Sequence, residues 1–385
     1  MSNQKADMTA AQAPAENGAL TGDALANLLA SGRKHVAVRD YARAAECFER
    51  AIEMRHDCSE AHLLRGEVHA ANGEGEDALD CYRLAVHFSP QHAPTRAALA
   101  EALLERGEDA GAEAACRRAL ADNPACARAW LCLGNLLKRR GELDEAAAAY
   151  RAAWKHDASD LRALEQLAFV LFRRGDYDDA FACFRELLGA APGSHTAHHN
   201  FGLLQLETGY AAAALESFTR ALQRRPGTVE SVTCSGHALR DLGRIDEAIA
   251  CYDQALALRP GFGDALANRA LAFLLKGDFT AGWAHYENRF EAGGRQRRTA
   301  GAPVWRGEPV SGKSVAVLSE QGIGDEIMFA SCLPDLIAAA GQVKLACEPR
   351  LTALFKRSFP EAIVAPRRQS GDADASVRLA ADFEI

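Results

Sequence analysis

Two patterns of apolar and polar residues divide this chain. Up to about residue 296 the small and apolar positions return at a fixed interval of 34; from about residue 312 they gather into short apolar runs separated by polar corners. In the first part Gly73, Gly107, Gly141, Gly175, Gly209, Gly243 and Gly277 form one unbroken series, and Ala44, Ala78, Ala112, Ala146, Ala180, Ala214 and Ala248 a second. Phe48, Tyr82, Tyr150, Phe184, Phe218, Tyr252 and Tyr286 form an aromatic series four places after the alanines, with Cys116 standing in once. Pro90, Pro124, Pro192, Pro226 and Pro260 mark the ends of units. Several residue types keeping one register for eight periods predict a stacked array of helix pairs over residues 25–296.

Each series has a physical reason. The glycine takes the left-handed conformation that closes one helix and lets the chain reverse. A carboxylate follows at Asp40, Glu74, Glu108, Glu142, Asp176 and Asp278, where it suits the positive N-terminal end of the second helix. The small alanine lets two helices approach and the aromatic fills the space beside it. The proline cannot continue a helix and separates the units.

After residue 312 the period changes. SVAVLS (314–319), QVKLACE (342–348) and EAIVAP (361–366) read as buried strands, with helices over about 325–340 and over 349–359. Strand, helix, strand, helix, strand predicts a parallel, Rossmann-like sheet, and DFEI at the end reads as the start of a fourth strand. The organisation expected is therefore a disordered segment at 1–24, repeats at 25–296, a Gly-rich basic linker at 297–311 and a partial α/β domain at 312–385.

Composition narrows the function. The net charge of −8 argues against nucleic acid as the main ligand, which would want a basic face. No apolar stretch reaches the roughly 20 residues of a membrane span, and the N-terminus lacks a signal-peptide layout. Cys47, Cys81, Cys183 and Cys251 sit at multiples of 34 from one another, which assigns them one small buried slot on a helix. There is no CxxC pair and no HExxH, so neither a metal nor another cofactor is expected. His195, His198 and His199 have the spacing zinc could use, but no carboxylate or thiolate lies at a useful interval. Unpaired thiols place the chain in a reducing, cytoplasmic compartment.

The first part resembles the tetratricopeptide repeat family, a match that covers about 70% of the chain. The fourth unit, AWLCLGNLLKRRGELDEAAAAYRAAWKHD, carries Trp130, Leu133, Gly134, Gly141, Ala146, Tyr150 and Ala153 in the family's places. The resemblance implies a mostly α right-handed superhelical solenoid whose concave groove, lined by first helices, holds a peptide or partner protein. By position, Arg128, Asn135, Lys138, Arg139, Arg162 and Arg173 would line mid-array and form a basic stretch suited to acidic or phosphorylated partners, or else a solvated helix face.

The junction GDFTAGWAHYENRF and the later PVWRGEPVSGKSVAVLSEQGIGDEIMFASCLPDL resemble bacterial proteins that fuse such repeats to a heptosyltransferase-like, GT-B type glycosyltransferase domain. In that resemblance Gly322, Gly324 and Asp325 match the turn after the first strand, Gln321 opens it, and Leu333-Pro334 matches the pair that follows. It implies that Asp325 is a general base toward an acceptor hydroxyl. From the residues alone, Asp325 could equally cap the helix. A GT-B enzyme needs two Rossmann domains, and the 74 residues after position 311 supply part of one, so a nucleotide-sugar is expected to bind only if a second domain completes the site. Two functions remain open: a protein-binding scaffold with an incomplete glycosyltransferase-like domain, or the substrate-recruiting part of a bacterial protein O-glycosyltransferase.

Overall fold

The computed structural model describes residues 13–286, 301–319, 322–367, 381 and 383–384. It contains two compact units, each considered by itself.

The chain begins as a solenoid of consecutive helices: α1 (Ala13–Ala37), α2 (Tyr41–Met54), α3 (Ser59–Ala71), α4 (Gly75–Phe88), α5 (Ala93–Glu105), α6 (Asp109–Asp122), α7 (Ala127–Arg140), α8 (Leu143–His156), α9 (Leu161–Arg174), α10 (Tyr177–Ala190), α11 (His195–Glu207), α12 (Ala211–Arg224), α13 (Val229–Asp241) and α14 (Ile245–Leu258) lie in the first unit, and α15 (Gly263–Lys276) and α16 (Phe279–Tyr286) are divided between the two. Odd-numbered helices open the units and even-numbered helices close them.

Within a unit, one contact fixes how closely the two helices approach. The aromatic of the second helix packs against the residue of the first helix sixteen places earlier wherever that residue is glycine. That earlier residue is glycine at positions 32, 66, 134, 202 and 236 and alanine at 100, 168 and 270. A Cβ added at Gly134 would lie 2.6 Å from the Tyr150 ring, and one at Gly236 would lie 2.5 Å from Tyr252. Phe48, Tyr150, Phe184, Phe218 and Tyr252 are consequently fully buried. Where the aromatic is replaced by the smaller Cys116, the first helix carries Ala100, and the two join a buried cluster with Cys132.

The turn between paired helices is equally regular. Gly73, Gly107, Gly141, Gly175, Gly209, Gly243 and Gly277 have φ between 75° and 88°. After each of them, the next N–H donates to the carbonyl five residues back, as in Glu74 to His69 (2.9 Å) and Tyr210 to Gln205 (2.7 Å). The first unit makes the same bond, Asp40 to His35 at 2.9 Å, but with Arg39 in the left-handed conformation at φ 58°. The acidic residue that follows is a side-chain cap only at Asp40 and Asp278, which accept from Arg43 N–H and Ala281 N–H. At three other units it turns back to the preceding helix: Glu74 to His69 (2.6 Å), Glu108 to Arg106 (2.9 Å) and Asp176 to Arg174 (3.1 Å).

Units are pinned to each other by a second repeated bond. A side chain in the opening helix donates to a loop carbonyl six residues earlier: His62 to His56 (2.9 Å), Trp130 to Pro124 (2.8 Å), His198 to Pro192 (3.1 Å), and Arg96 to Pro90. The donor type changes; the position does not.

Two expectations need correction here. Residues 13–24, read as part of a disordered lead-in, belong to α1, whose Leu25 and Leu29 are buried beneath Phe48, so the helix has a packed face to extend from. The shared cysteine slot is buried at Cys81 but only half-buried at Cys47, Cys183 and Cys251.

The second unit holds a parallel sheet of order β3-β2-β1-β4: β1 (Ser314–Leu318), β2 (Gln342–Cys347), β3 (Ile363–Pro366) and β4 (Phe383–Glu384). Ser314 pairs with Gln342, Lys344 with Ile363, and Val315 with Phe383. The single helix expected over 325–340 is two, α17 (Ile323–Phe329) and α18 (Leu333–Ala339), joined by a 3-10 turn at Ala330–Cys332. Pro334 lacks the N–H that a continuous helix requires, and it sits instead in the first turn of α18. The helix expected over 349–359 likewise begins as a 3-10 turn at Pro349–Leu351 and becomes α19 at Thr352–Ser358. Leu345, Cys347, Leu351, Phe355 and Val364, with Ala330 and Leu333, form the core of this unit.

Two substitutions test these packing rules by denaturant unfolding. Gly202→Val, which would drive a branched side chain into Phe218, is expected to cost about 2–3 kcal/mol. Arg39→Gly, which relieves the one non-glycine left-handed residue, is expected to add roughly 0.5 kcal/mol, the residual after glycine's extra unfolded-state entropy.

Candidate functional site

The opening helices α3, α5, α7 and α9 present one face to a chain of depressions. The first is lined by Ala70, Tyr82, Glu101, Glu105, Arg106 and Arg128, among others. The second, of about 420 Å³, lies between Glu67, Arg128, Asp160 and Arg162. The third, of about 450 Å³, is lined by Glu101, Glu105, Leu131, Asn135, Lys138, Arg162, Glu165 and Gln166. Shared lining residues make them neighbours, so the face is a shallow groove crossing four repeats.

Helical periodicity places these side chains. Arg128 and Arg162 are 34 apart and so occupy one register, as do Glu67, Glu101 and Asn135. Arg128 therefore reaches back across two units: its Nη1 donates to Glu67 (2.8 Å), and its Nε and Nη2 donate to Glu101 (2.8 and 2.7 Å). Burial works against the charge of Arg128, and Glu101 and then Glu67 more than offset it, so the guanidinium is held protonated above its usual range. Arg162 lacks a second such acid, because Asn135 stands where its nearer carboxylate would be. It turns to its own helix cap and donates to both oxygens of Asp160, at 2.6 to 3.1 Å.

The other residues singled out in the sequence divide. Asn135 accepts from the Tyr150 hydroxyl at 2.8 Å. Lys138 donates to Gln166 at 2.5 Å, lies 5.9 Å above the Phe169 ring, and has its pKa lowered by burial, with Glu165 opposing. Arg139 donates to the Leu104 carbonyl (2.9 Å) and pairs with Asp109. Arg173 is exposed and joins none of the three depressions. Arg128, Asn135, Lys138 and Arg162 thus converge, and Arg139 and Arg173 do not. Sequence reading missed Glu67, Glu101, Glu105 and Glu165, although the interval of 34 between the first two was visible.

The three histidines of α11 are in structural use. His198 bonds a loop carbonyl, and His199 Nδ1 bonds Ser231 Oγ at 2.9 Å, with burial pushing its pKa down. His195 Nε2 lies 3.5 Å from Arg225 Nη1.

The α/β unit carries its own polar cluster at the carboxyl ends of its strands. Asp325 Oδ2 accepts the Gly322 N–H at 3.3 Å, the helix-capping arrangement. Gly324 lies in the first turn of α17, and Gln321 is outside the described residues. The buried carboxylate here is the neighbouring Glu326, which accepts from the Glu348 backbone N–H (2.9 Å) and from Arg367 (2.8 Å). Arg367 also donates to Glu348 (2.7 Å), and Arg350 and then Arg367 hold the Glu348 carboxyl below its usual range.

The fold so far defines a helical-repeat solenoid followed by a small parallel α/β unit. Family models for tetratricopeptide repeats match residues 29–93 and 236–277, and residues 95–198 are similar to the model of the tetratricopeptide repeat protein 21 C-terminal ARM domain. The stacked helix pairs are therefore tetratricopeptide repeats. Protein FlbA of Caulobacter vibrioides is 34% identical over 191 residues, which are 47% of this chain and 32% of FlbA, so the match spans about a third of that relative's length. Among solved structures, the APC/C hetero-tetramer Cut9–Hcn1 superposes with a TM-score of 0.54 at 17% identity, covering 66% of this chain and 50% of its own. PilF of Pseudomonas aeruginosa gives 0.51 at 21% identity, covering 56% and 98%. At these identities the structures share the fold. Among the described residues no helix is long and apolar enough to cross a membrane.

The Arg128 bridge generates a stability prediction. Arg128→Met leaves Glu67 and Glu101 facing each other, and is expected to lower unfolding free energy by about 1–2 kcal/mol, since both carboxylates keep some solvent. Adding Glu67→Gln and Glu101→Gln should recover most of that loss, read by the same unfolding curve.

Proposed function

We propose that this tetratricopeptide scaffold holds an extended peptide segment of a partner protein in the groove formed by α3, α5, α7 and α9, in a cytoplasmic setting. The observation that carries the reading is the run of adjacent depressions across four opening helices, lined by polar side chains whose positions repeat with the units. An extended strand fits a shallow groove of this kind because it can place alternate side chains into successive depressions. The ion pairs along the groove floor supply preorganised polar partners, which lowers the ordering cost of binding.

A second reading concerns the α/β unit. Its parallel order, with a glycine turn and two carboxylates at the carboxyl edge, favours descent from a glycosyltransferase-type domain of which the repeats recruit the target. Asp325 is then the candidate base once it leaves its cap. Micromolar binding of a radiolabelled nucleotide-sugar by this chain alone would put the enzyme reading ahead of the scaffold reading.

The groove is tested with a random twelve-residue peptide library displayed on phage. Enriched peptides are expected to lose at least about tenfold in affinity when Ala70→Trp and Gln166→Trp fill the depressions, and to be unaffected by Arg117→Trp on the exposed face of α6. Affinity that survives the filled groove rejects the proposal.

A further inference from the structure

The basic residues of the groove are already spent. Arg106 pairs with Glu76 and Glu108, Arg128 with Glu67 and Glu101, and Arg162 with Asp160, while Lys138 is bonded to the Gln166 amide and stacked on Phe169. The acids are not all matched in return. Glu105 is exposed and makes no hydrogen bond or ion pair among the described residues. Glu165 is half-exposed and feels Lys138 only through space, beyond ion-pair distance. Both line the same depression of about 450 Å³, which they share with Glu101. Counting the three depressions together, the lining acids are Glu67, Glu101, Glu105, Asp157, Asp160 and Glu165, and the lining bases are Arg106, Arg128, Lys138 and Arg162, six against four.

We infer that the groove selects a basic segment, one that sets a lysine or arginine side chain between Glu105 and Glu165. The inference rests on the groove reading above and specifies its partner. It runs opposite to the acidic or phosphorylated ligand that the arginines suggest when read along the sequence. A ligand carboxylate or phosphate at Arg128 must compete with two carboxylates already in place and repel both. A ligand cation in the third depression meets two carboxylates that are in no ion pair, Glu165 feeling Lys138 only through space. It also sits beside the aliphatic Leu104 and Leu131, which suit the methylene stem of lysine or arginine. The chain's overall charge of −8 adds long-range attraction in the same sense and raises the encounter rate.

The peptides enriched from the random library decide the question. Lysine and arginine are expected in clear excess over their library frequency, and binding of one such peptide, synthesised with a fluorescent label, should weaken several-fold between 50 and 500 mM NaCl. The double variant Glu105→Gln, Glu165→Gln should bind it about tenfold more weakly, and Glu105→Lys with Glu165→Lys should shift enrichment toward aspartate and glutamate. Both positions are solvent-facing, and circular dichroism on each variant checks that the array is intact. Enrichment of acidic or uncharged peptides, or affinity unchanged in the glutamine variant, overturns the inference while leaving the groove reading standing. If no enriched peptide responds to Ala70→Trp with Gln166→Trp, the groove reading itself has failed.

Discussion

The contact on which the array depends is a flat ring pressed against a residue with no room for a larger side chain. The pair is Gly134 and Tyr150, Gly202 and Phe218, and so on through the units, always sixteen apart. It sets the distance between paired helices, and that distance sets everything downstream: which side chains of the opening helices face the groove, and how far each is from its counterpart one unit away. Burying one such ring contributes about 2–3 kcal/mol, and no unit holds more than one ring in this slot, so the array's stability is a sum of similar increments with no dominant core. At Ala100 and Cys116 the same slot is filled by two small residues, which join Cys132 in a buried cluster.

Much of this was legible in the sequence because a repeat states the same local rule eight times. The glycine series gave the left-handed turns directly, and the αL conformation of Arg39 shows that the rule belongs to the backbone rather than to glycine: the reversal bond from Asp40 to His35 forms there too. The small residue sixteen places before each aromatic was equally periodic, yet it carries no meaning until two helices are packed and the ring is seen to need the space. The loop-carbonyl bonds were hidden for a different reason. Histidine, arginine and tryptophan share little in a sequence, but each reaches a donor nitrogen to the same carbonyl position. His198 belongs to that set, which is why a histidine cluster that looked like candidate metal chemistry turns out to include a unit clamp.

Charge was the property least available from the sequence. Arg128 lies 27 residues from Glu101 and 61 from Glu67, and nothing local announces either pairing. Only the superposition of successive units brings Glu67, Glu101 and Asn135 into one column and Arg128 and Arg162 into another. Once the columns are known, the electrostatics follow. Arg128 finds two acids, Arg162 finds an amide in place of one of them and folds back on Asp160, and the unmatched carboxylates are left one turn further along.

The α/β unit makes the complementary point about motifs. The glycine turn at 322–324 drew attention to Asp325, and the helix uses that side chain to satisfy a backbone N–H at its own start. The adjacent Glu326 points the other way, into the sheet edge, and there it ties together three segments: the start of α17, the chain after β2 through the Glu348 N–H, and the chain after β3 through Arg367. A carboxylate that accepts from both a backbone amide and a guanidinium is already satisfied, so its place in this unit is to hold the carboxyl ends of the strands in register. Any ligand at that edge would have to offer Arg367 an anion able to compete with Glu326 and Glu348 together. The sheet edge and the repeat groove thus share one logic. In both, the arginines are committed to internal carboxylates, and the groups left to meet a partner are those the internal pairing does not use.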